Sequence, residues 1–247
     1  MKYTYEELAG MIDHSLLHPT LTDQELEEGC RLAARYGVAS VCIKPYFVKR
    51  AAQILKGSAV RVGAVIGFPH GNSNTESKRY ETELACKDGA VEIDMVNNIG
   101  KALGGDWGYV ERDIKAVCDE AHARGAKVKV IFENDYLAQG GAGLSSEHFK
   151  RKLAQLCERA GADWIKTSTG YGFVKGSDGK YSYQGATESD LRLMRASVSE
   201  KVQVKAAGGV RDLDGLIRVR DLGATRCGAS ATAAILDAYR ERAKSEV

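Results

Sequence analysis

The fold is decided by the stretch Glu158-Arg-Ala-Gly-Ala-Asp-Trp-Ile-Lys-Thr-Ser-Thr-Gly170, where a helical pattern stops at Gly161 and a β-rich run starts two residues later. Glycine suits this place because it adopts the left-handed conformation that commonly ends a helix. The same junction of helix, glycine and strand recurs at Gly37, Gly89, Gly125 and Gly223. Repeated alternation of helix and strand predicts a parallel sheet built from βα units.

Three further β-rich runs, at 11–13, 61–66 and 202–206, bring the predicted strands to eight. The helical patterns between them lie near 22–36, 45–56, 75–88, 106–124, 146–160, 187–199, 212–221 and 230–244. Eight alternations in 247 residues predict a (β/α)₈ TIM barrel that forms a single domain over 1–247. An open, doubly wound sheet is the alternative, but no G-x-G-x-x-G follows the first strand.

One irregular segment interrupts the pattern, at about 173–185, after the sixth predicted strand. It is rich in glycine, serine, tyrosine and charged residues. Loops that follow barrel strands lie on the face where barrel enzymes keep their chemistry. We therefore expect an inserted loop on the catalytic face.

Composition limits the classes of partner and compartment. Hydrophobic residues make up 44% of the chain, and the formal net charge is +2 with both signs interspersed, so we expect neither a nucleic-acid nor a membrane partner. The six cysteines show no C-x-x-C pairing and are read as reduced thiols of a cytoplasmic protein. The first residues lack the apolar core of a signal peptide, so secretion is not expected.

Two lysines stand near the ends of strand-like runs that are otherwise mostly uncharged: Lys166 before Thr-Ser-Thr-Gly and Lys205 before Ala-Ala-Gly-Gly. If both strands belong to one closed sheet, their amines face each other, and repulsion and desolvation make each charged form more costly. A neutral lysine is a nucleophile for carbonyl carbon. The pair therefore indicates covalent chemistry on a carbonyl substrate.

Strand alternation places further charges inside the barrel, since side chains of one parity share a face. Glu92 and Asp94 share a face of one strand, and Lys129 and Glu133 share a face of the next. For Glu92 and Lys129 a purely structural ion network is as good an interpretation as a functional one. Asp94 and Glu133 lie nearer the ends of their strands that carry catalysis in barrels.

Glycine-bearing turns follow the last two strands, at Gly208-Gly209 and at Gly228-Ala229-Ser230. Loops in these positions expose backbone N–H groups that commonly hold phosphate in this fold. The joint position of the two turns favours a phosphorylated substrate.

Other chemistry has less support. The five histidines form no metal-binding motif, so no metal is expected. Each is interpreted as a capping or surface residue, with His70 the most suited to approach a substrate. Cys42 has no histidine placed to activate it, which favours a packed or substrate-lining thiol over a nucleophile.

Taken together, these motifs resemble 2-deoxyribose-5-phosphate aldolases, class I aldolases on a (β/α)₈ barrel that form a lysine Schiff base. The shared segments run from Ile12-Asp-His-Ser-Leu-Leu17 through Ser40-Val-Cys-Ile43 with Pro45, Ile66-Gly-Phe-Pro-His-Gly71, Glu92-Ile-Asp-Met-Val96, Lys129-Val-Ile-Phe-Glu133 and Gly161–Gly170 to Val204-Lys-Ala-Ala-Gly-Gly-Val210. The resemblance implies a lyase that cleaves 2-deoxy-D-ribose 5-phosphate reversibly to D-glyceraldehyde 3-phosphate and acetaldehyde, with no cofactor.

The resemblance also implies roles for individual residues. Lys166 is the Schiff-base lysine, Lys205 the neighbour that depresses its pKa, and Asp94 the acid/base that works with Lys205 through water. Asp13 and Thr167 position substrate hydroxyls, and Cys42 lines the pocket. Phosphate is held by Gly208, Gly209, Gly228 and Ser230.

The chain departs from that family pattern at several places: Lys44, Asn134-Asp-Tyr136, Ala231 and the long insertion with Lys175, Lys180, Tyr181 and Tyr183. Lys44 is expected to add a cation beside the pocket mouth, and we expect all of these departures to affect the choice of aldehyde rather than the carbon–carbon chemistry. An aldolase for another sugar phosphate, a sugar-phosphate isomerase and a non-catalytic phosphate-ligand sensor stay open as alternatives. The expected partners are a small phosphorylated aldehyde or sugar and, for a homo-oligomer, a second copy in a dimer.

Overall fold

The computed structural model describes residues 2–140 and 143–245. Within these residues, eight parallel strands close into a barrel, which confirms the predicted TIM barrel. Around the barrel they are β1 (Ile12–Leu16), β2 (Ser40–Ile43), β3 (Arg61–Ile66), β4 (Glu92–Val96), β5 (Lys127–Ile131), β6 (Trp164–Lys166), β9 (Gln203–Ala207) and β10 (Ala224–Ala229), which pairs with β1 again. The first strand is longer than predicted and ends at Leu16.

Helices surround the barrel and follow the predicted segments. They are α2 (Asp23–Tyr36), α3 (Val48–Ile54, preceded by a 3₁₀ turn at Pro45–Phe47), α4 (Thr75–Lys87), α6 (Trp107–His122), α8 (Ser146–Ala160), α9 (Glu188–Ala196), α10 (Leu213–Asp221) and α11 (Thr232–Ser245). Three short helices were not predicted: α1 (Tyr5–Ala9), α5 (Ile99–Leu103) and α7 (Asn134–Leu137). Each has only four or five residues, too few to show a helical period.

Local sequence signals set the ends of α2. Thr22 accepts a hydrogen bond from the backbone N–H of Glu25, and the Glu25 carboxylate accepts one from the backbone N–H of Thr22. This reciprocal capping box satisfies two donors that the first turn leaves unpaired. At the other end Gly37 has φ 64°, the left-handed cap that the repeat predicts.

The irregular segment after β6 contains a small antiparallel hairpin formed by β7 (Val174–Lys175) and β8 (Tyr181–Ser182). The sequence predicts only a loop here, because strands of two residues carry no recognisable alternation. The hairpin stands between β6 and α9. Among the described residues, no helix is both long and apolar enough to cross a membrane.

Candidate active site

Asp94 on β4 is the meeting point of three buried lysines. Its Oδ2 accepts hydrogen bonds from Lys166 and Lys205, each at 2.8 Å, and its Oδ1 accepts one from Lys129 at 2.8 Å. The strand register produces this arrangement, since Asp94 is opposite Lys129 on β5 and Lys166 is opposite Lys205 on β9. The structure thus brings together the three residues that the sequence predicts as catalytic.

A second layer of charges lies beneath these groups. Asp13 on β1 is 2.5 Å from the Lys205 ammonium, and Glu92 is 2.6 Å from Lys129. Arg226 on β10 bonds to Glu92 at 2.6 Å and also to Asp13. Every one of these side chains is buried, so the ions depend on one another for the solvation that water supplies at a surface.

The ionisation of the cluster follows from its contacts. Burial alone would raise the pKa of Asp94, but Lys129, Lys166 and Lys205 together hold it well below the usual range. For Lys205 burial acts to lower the pKa, and the carboxylates of Asp13 and Asp94 outweigh it, so the pKa lies well above the usual range. The expectation that repulsion between the lysines makes both charged forms costly is therefore wrong for Lys205. Sequence reasoning placed the two amines together but left out the second carboxylate.

The three lysines differ in how they are paired. Lys205 and Lys129 each contact Asp94 and at least one further carboxylate, whereas Lys166 contacts one oxygen of Asp94 and shares it with Lys205. The buried cluster contains four cationic side chains and three carboxylates: Lys129, Lys166, Lys205 and Arg226 against Asp13, Glu92 and Asp94. The buried cations outnumber the buried carboxylates by one, and Lys166 has the fewest ion contacts among the four cations. A neutral amine there is a nucleophile for a carbonyl carbon.

Two of the predicted substrate-binding residues border this cluster with their polar atoms already engaged. The Thr167 hydroxyl donates to the carbonyl of Ala207 at 2.9 Å and accepts from the backbone N–H of Ala207 at 3.0 Å. Asp13 accepts a hydrogen bond from Ser40 at 2.7 Å besides its ion pairs. In the structure both residues hold neighbouring strands together.

Cys42 lies beside the amines as a buried, protonated thiol. Its Sγ is 3.8 Å from Asp94 Oδ2, and burial together with that carboxylate raises its pKa to about 11. Cys42 packs with Leu17 and Val65, and the rings of Phe68 and Tyr171 lie against this group. The sequence interpretation of a packed thiol rather than a nucleophile fits this environment.

The first glycine turn lies where the sequence places it, after β9, whereas Gly228 and Ala229 of the second belong to β10 itself. Gly208 and Gly209 follow β9 with φ near 90°. In β10 Gly228 is opposite Ala207, and a Cβ on Gly228 would come within 3.3 Å of the Ala207 Cβ. Ser230 is exposed between β10 and α11. The absence of a side chain on Gly228 suits this close packing of β10 on β9.

Sequence reasoning missed the environment of Glu133. Glu133 lies between β5 and α7 with φ 57°, so the alternation of side chains along β5 does not set its direction. Its carboxylate points to the loop after β6. There it accepts hydrogen bonds from the hydroxyl and the backbone N–H of Thr169. Burial raises its pKa to about 7. Arg226 was missed as well, although its alternation with Gly228 in β10 was a usable signal.

Two other expectations need correction. His14 is not a surface or capping residue: it is buried on β1, its Nδ1 is 2.8 Å from Thr232 Oγ1, and burial lowers its pKa to about 4. Lys44 was expected to add a cation beside the pocket. Its ammonium instead donates to the backbone carbonyls of His18 and Leu21, at 3.2 and 2.9 Å.

Comparison with known proteins gives consistent matches over nearly the whole chain. A family model described as DeoC/LacD family aldolase matches residues 8–237. A deoxyribose-phosphate aldolase of Rhodopirellula baltica is 50% identical over 240 residues, which cover 97% of this chain and 92% of the relative.

Solved structures agree. A putative deoxyribose-phosphate aldolase from Coccidioides immitis superposes with a TM-score of 0.85 at 33% identity, covering 96% of this chain and 87% of that one. The deoxyribose phosphate aldolase of Aeropyrum pernix, described as tetrameric, superposes with a TM-score of 0.82 at 27% identity, covering 97% and 93%.

Proposed function

The chain belongs to the DeoC/LacD family of aldolases, and we propose that it cleaves 2-deoxy-D-ribose 5-phosphate reversibly to D-glyceraldehyde 3-phosphate and acetaldehyde. The observation that supports this most is the contact of Lys166 and Lys205 with one oxygen of Asp94. That arrangement supplies a nucleophilic amine, a fixed cation and a carboxylate within one buried cluster.

The reaction begins when the neutral Lys166 amine attacks the aldehyde carbon C1 of the open-chain sugar. Loss of water from the adduct gives an iminium ion that withdraws electrons from C2. A base then removes the proton of the C3 hydroxyl, the C2–C3 bond breaks, and its electron pair forms an enamine while C3 becomes the aldehyde of the first product. Protonation of the enamine at C2 and hydrolysis release acetaldehyde and restore Lys166.

Asp94 and Lys205 divide the proton transfers between them. Because the three lysines keep Asp94 ionised, it starts as a proton acceptor, while the Lys205 ammonium is the donor at 2.8 Å from it. A water molecule between this pair and the substrate relays the protons. Asp94 also accepts the hydrogen bond of the Lys166 nitrogen, which positions the iminium.

Substrate contacts come from the predicted binding residues. Cys42 lines the pocket next to the reacting carbons, and Gly208, Gly209, Gly228 and Ser230 hold the phosphate at the ends of β9 and β10. To contact substrate hydroxyls, Asp13 gives up its ion pair with Lys205, and Thr167 gives up its hydrogen bond to Ala207. The whole chain, 1–247, acts as one domain with the 173–185 segment on its catalytic face.

The cellular setting forms part of the same proposal. The enzyme works in the cytoplasm, where its six free cysteines stay reduced. Its reaction belongs to the catabolism of carbohydrate and deoxyribonucleotides. It assembles with a second copy of itself as a dimer, and light scattering on the purified protein tests this.

A coupled cleavage assay tests the activity. Wild-type protein should release glyceraldehyde 3-phosphate from deoxyribose 5-phosphate, and a folded Lys166→Leu variant should not. Normal turnover by Lys166→Leu would exclude the mechanism. Faster cleavage of ribulose, fructose or deoxyhexose phosphates would identify another aldolase substrate, and conversion without carbon–carbon cleavage would identify an isomerase.

A further inference from the structure

The hairpin segment 173–185 is tied to the barrel by one buried carboxylate. Asp135, in the first turn of α7, accepts hydrogen bonds from two consecutive backbone N–H groups: Gln184 at 2.6 Å and Gly185 at 3.0 Å. One oxygen of the carboxylate serves each donor. Asp135 is 7% exposed, so these charge-assisted bonds are shielded from water and fix the returning arm of the hairpin.

That returning arm lies directly on the first glycine of the turn after β9. The backbone N–H of Ala186 donates to the carbonyl of Gly208 at 3.1 Å. Gly185 has φ 72°, and a Cβ on it would come within 2.6 Å of the Gly208 carbonyl oxygen. The hairpin and the turn are therefore in backbone contact, with no space for a side chain between them.

The ring of Tyr183 lies beside Gly185 on the same side of Gly208. A Cβ on Gly208 would lie 3.4 Å from Tyr183 Cε2, the ring carbon next to the one that bears the hydroxyl. The ring of Phe173, on the outgoing arm, packs edge to face against Tyr183 with centroids 5.1 Å apart and holds it in place. Within 2–140 and 143–245 the Tyr183 hydroxyl has no hydrogen-bond partner.

The Tyr183 phenol also lies near the mouth of the barrel. Burial raises the pKa of Tyr171, and the Tyr183 phenol adds to this effect. Tyr171 in turn contacts Phe68, a ring that packs on the apolar group around Cys42. The Tyr183 ring thus lies beside the glycine turn after β9, and Tyr171 lies on the apolar group around Cys42.

From these contacts we infer that Tyr183 is a specificity-determining residue whose hydroxyl donates a hydrogen bond to the substrate phosphate at Gly208, and that Asp135 is the positioning residue that places it. This inference rests on the proposed function. The hairpin adds a donor to a cradle otherwise made of backbone N–H groups, and its Lys175 and Lys180 exceed Asp178 by one positive charge. The phosphate end of the substrate is then recognised by a segment that the catalytic lysines do not touch.

Tyr183→Phe tests the inference by removing one hydroxyl, and Tyr181→Phe is the matched control, since Tyr181 is on the same hairpin but 66% exposed. A hydrogen bond to a charged group predicts that Tyr183→Phe raises KM for deoxyribose 5-phosphate about tenfold, with kcat unchanged. Cleavage of deoxyribose without phosphate should be unaffected. Asp135→Asn should produce the same selective rise in KM, which a general loss of stability would not.

Equal effects of Tyr183→Phe on both sugars, or a KM indistinguishable from that of Tyr181→Phe, would overturn the inference. If wild-type protein cleaves no deoxyribose 5-phosphate, the proposed function fails first. Calorimetric titration with inorganic phosphate then decides separately whether Tyr183 binds the anion: weaker binding by Tyr183→Phe than by Tyr181→Phe supports it, and equal binding contradicts it.

Discussion

Replacement of Lys205 by methionine removes the charge next to Lys166 while keeping an unbranched side chain. Both lysine nitrogens lie 2.8 Å from the same oxygen of Asp94, so they are at most twice 2.8 Å, or 5.6 Å, apart. Two unit charges at that distance repel by about 3 kcal/mol at an effective dielectric constant of about 20. An electrostatic change of this size beside the reacting nitrogen corresponds to about a hundredfold in rate.

The assay is kcat/KM for deoxyribose 5-phosphate as a function of pH, on protein shown by circular dichroism to be folded. Lys205→Met should lower kcat/KM about a hundredfold near neutral pH. The pH profile of kcat/KM should also be displaced, because the cation beside the reacting amine is gone. Lys205→Arg, which keeps the charge, should show a smaller displacement. A folded Lys205→Met protein with an unmoved pH profile would refute the reasoning.

Three further predictions concern buried ionisable groups. The pKa of Glu133 is about 7 in the folded protein against an ordinary 4.5, so ionisation of its carboxyl destabilises the fold as the pH rises between these two values. Over this pH range the free energy of unfolding in urea should fall by about 3 kcal/mol for wild-type protein relative to Glu133→Gln. A difference between the two proteins that does not change with pH would exclude this effect. Lys78 and Asp113 form a fully buried ion pair at 2.6 Å between α4 and α6. Lys78→Met should destabilise the protein by about 3–5 kcal/mol, and the double variant Lys78→Met/Asp113→Leu should recover much of that loss. A double variant no more stable than Lys78→Met would argue against the pairing. Of the six thiols only Cys86 is more than slightly exposed, so native protein should react quickly with a thiol reagent at Cys86 alone, and fast labelling of Cys42 would contradict its buried, high-pKa environment.

The barrel and its buried cluster of lysines and carboxylates could be predicted because both depend on regular patterns. Glycine-terminated helices followed by β-rich runs identify the βα repeat, and strand parity places Asp94 and the lysines on one interior surface. The strand register also brings Asp94 and Lys129 together, because they are direct neighbours across β4 and β5. Helix ends, strand alternation and strand register all follow from regular patterns in the sequence.

What the sequence did not reveal depends on contacts between distant segments. The ionisation of Lys205 is controlled by Asp13, almost two hundred positions away, through a contact that exists only once β10 closes the barrel against β1. Glu133 leaves the strand pattern because its backbone turns left-handed, and its partner Thr169 is on the next loop. The hairpin strands have two residues each, too few for any periodic signal, so the seating of Tyr183 on Gly208 is visible only in the folded chain.

Mass spectrometry after reduction locates the covalent step. Wild-type protein is incubated with acetaldehyde and sodium borohydride, digested and mapped, with Lys205→Arg and Lys166→Arg treated in parallel. We expect one ethyl group on Lys166 in wild-type protein and none at that position in Lys166→Arg. An adduct on Lys205 or Lys129, or efficient cleavage of deoxyribose 5-phosphate with no adduct on Lys166, would contradict it.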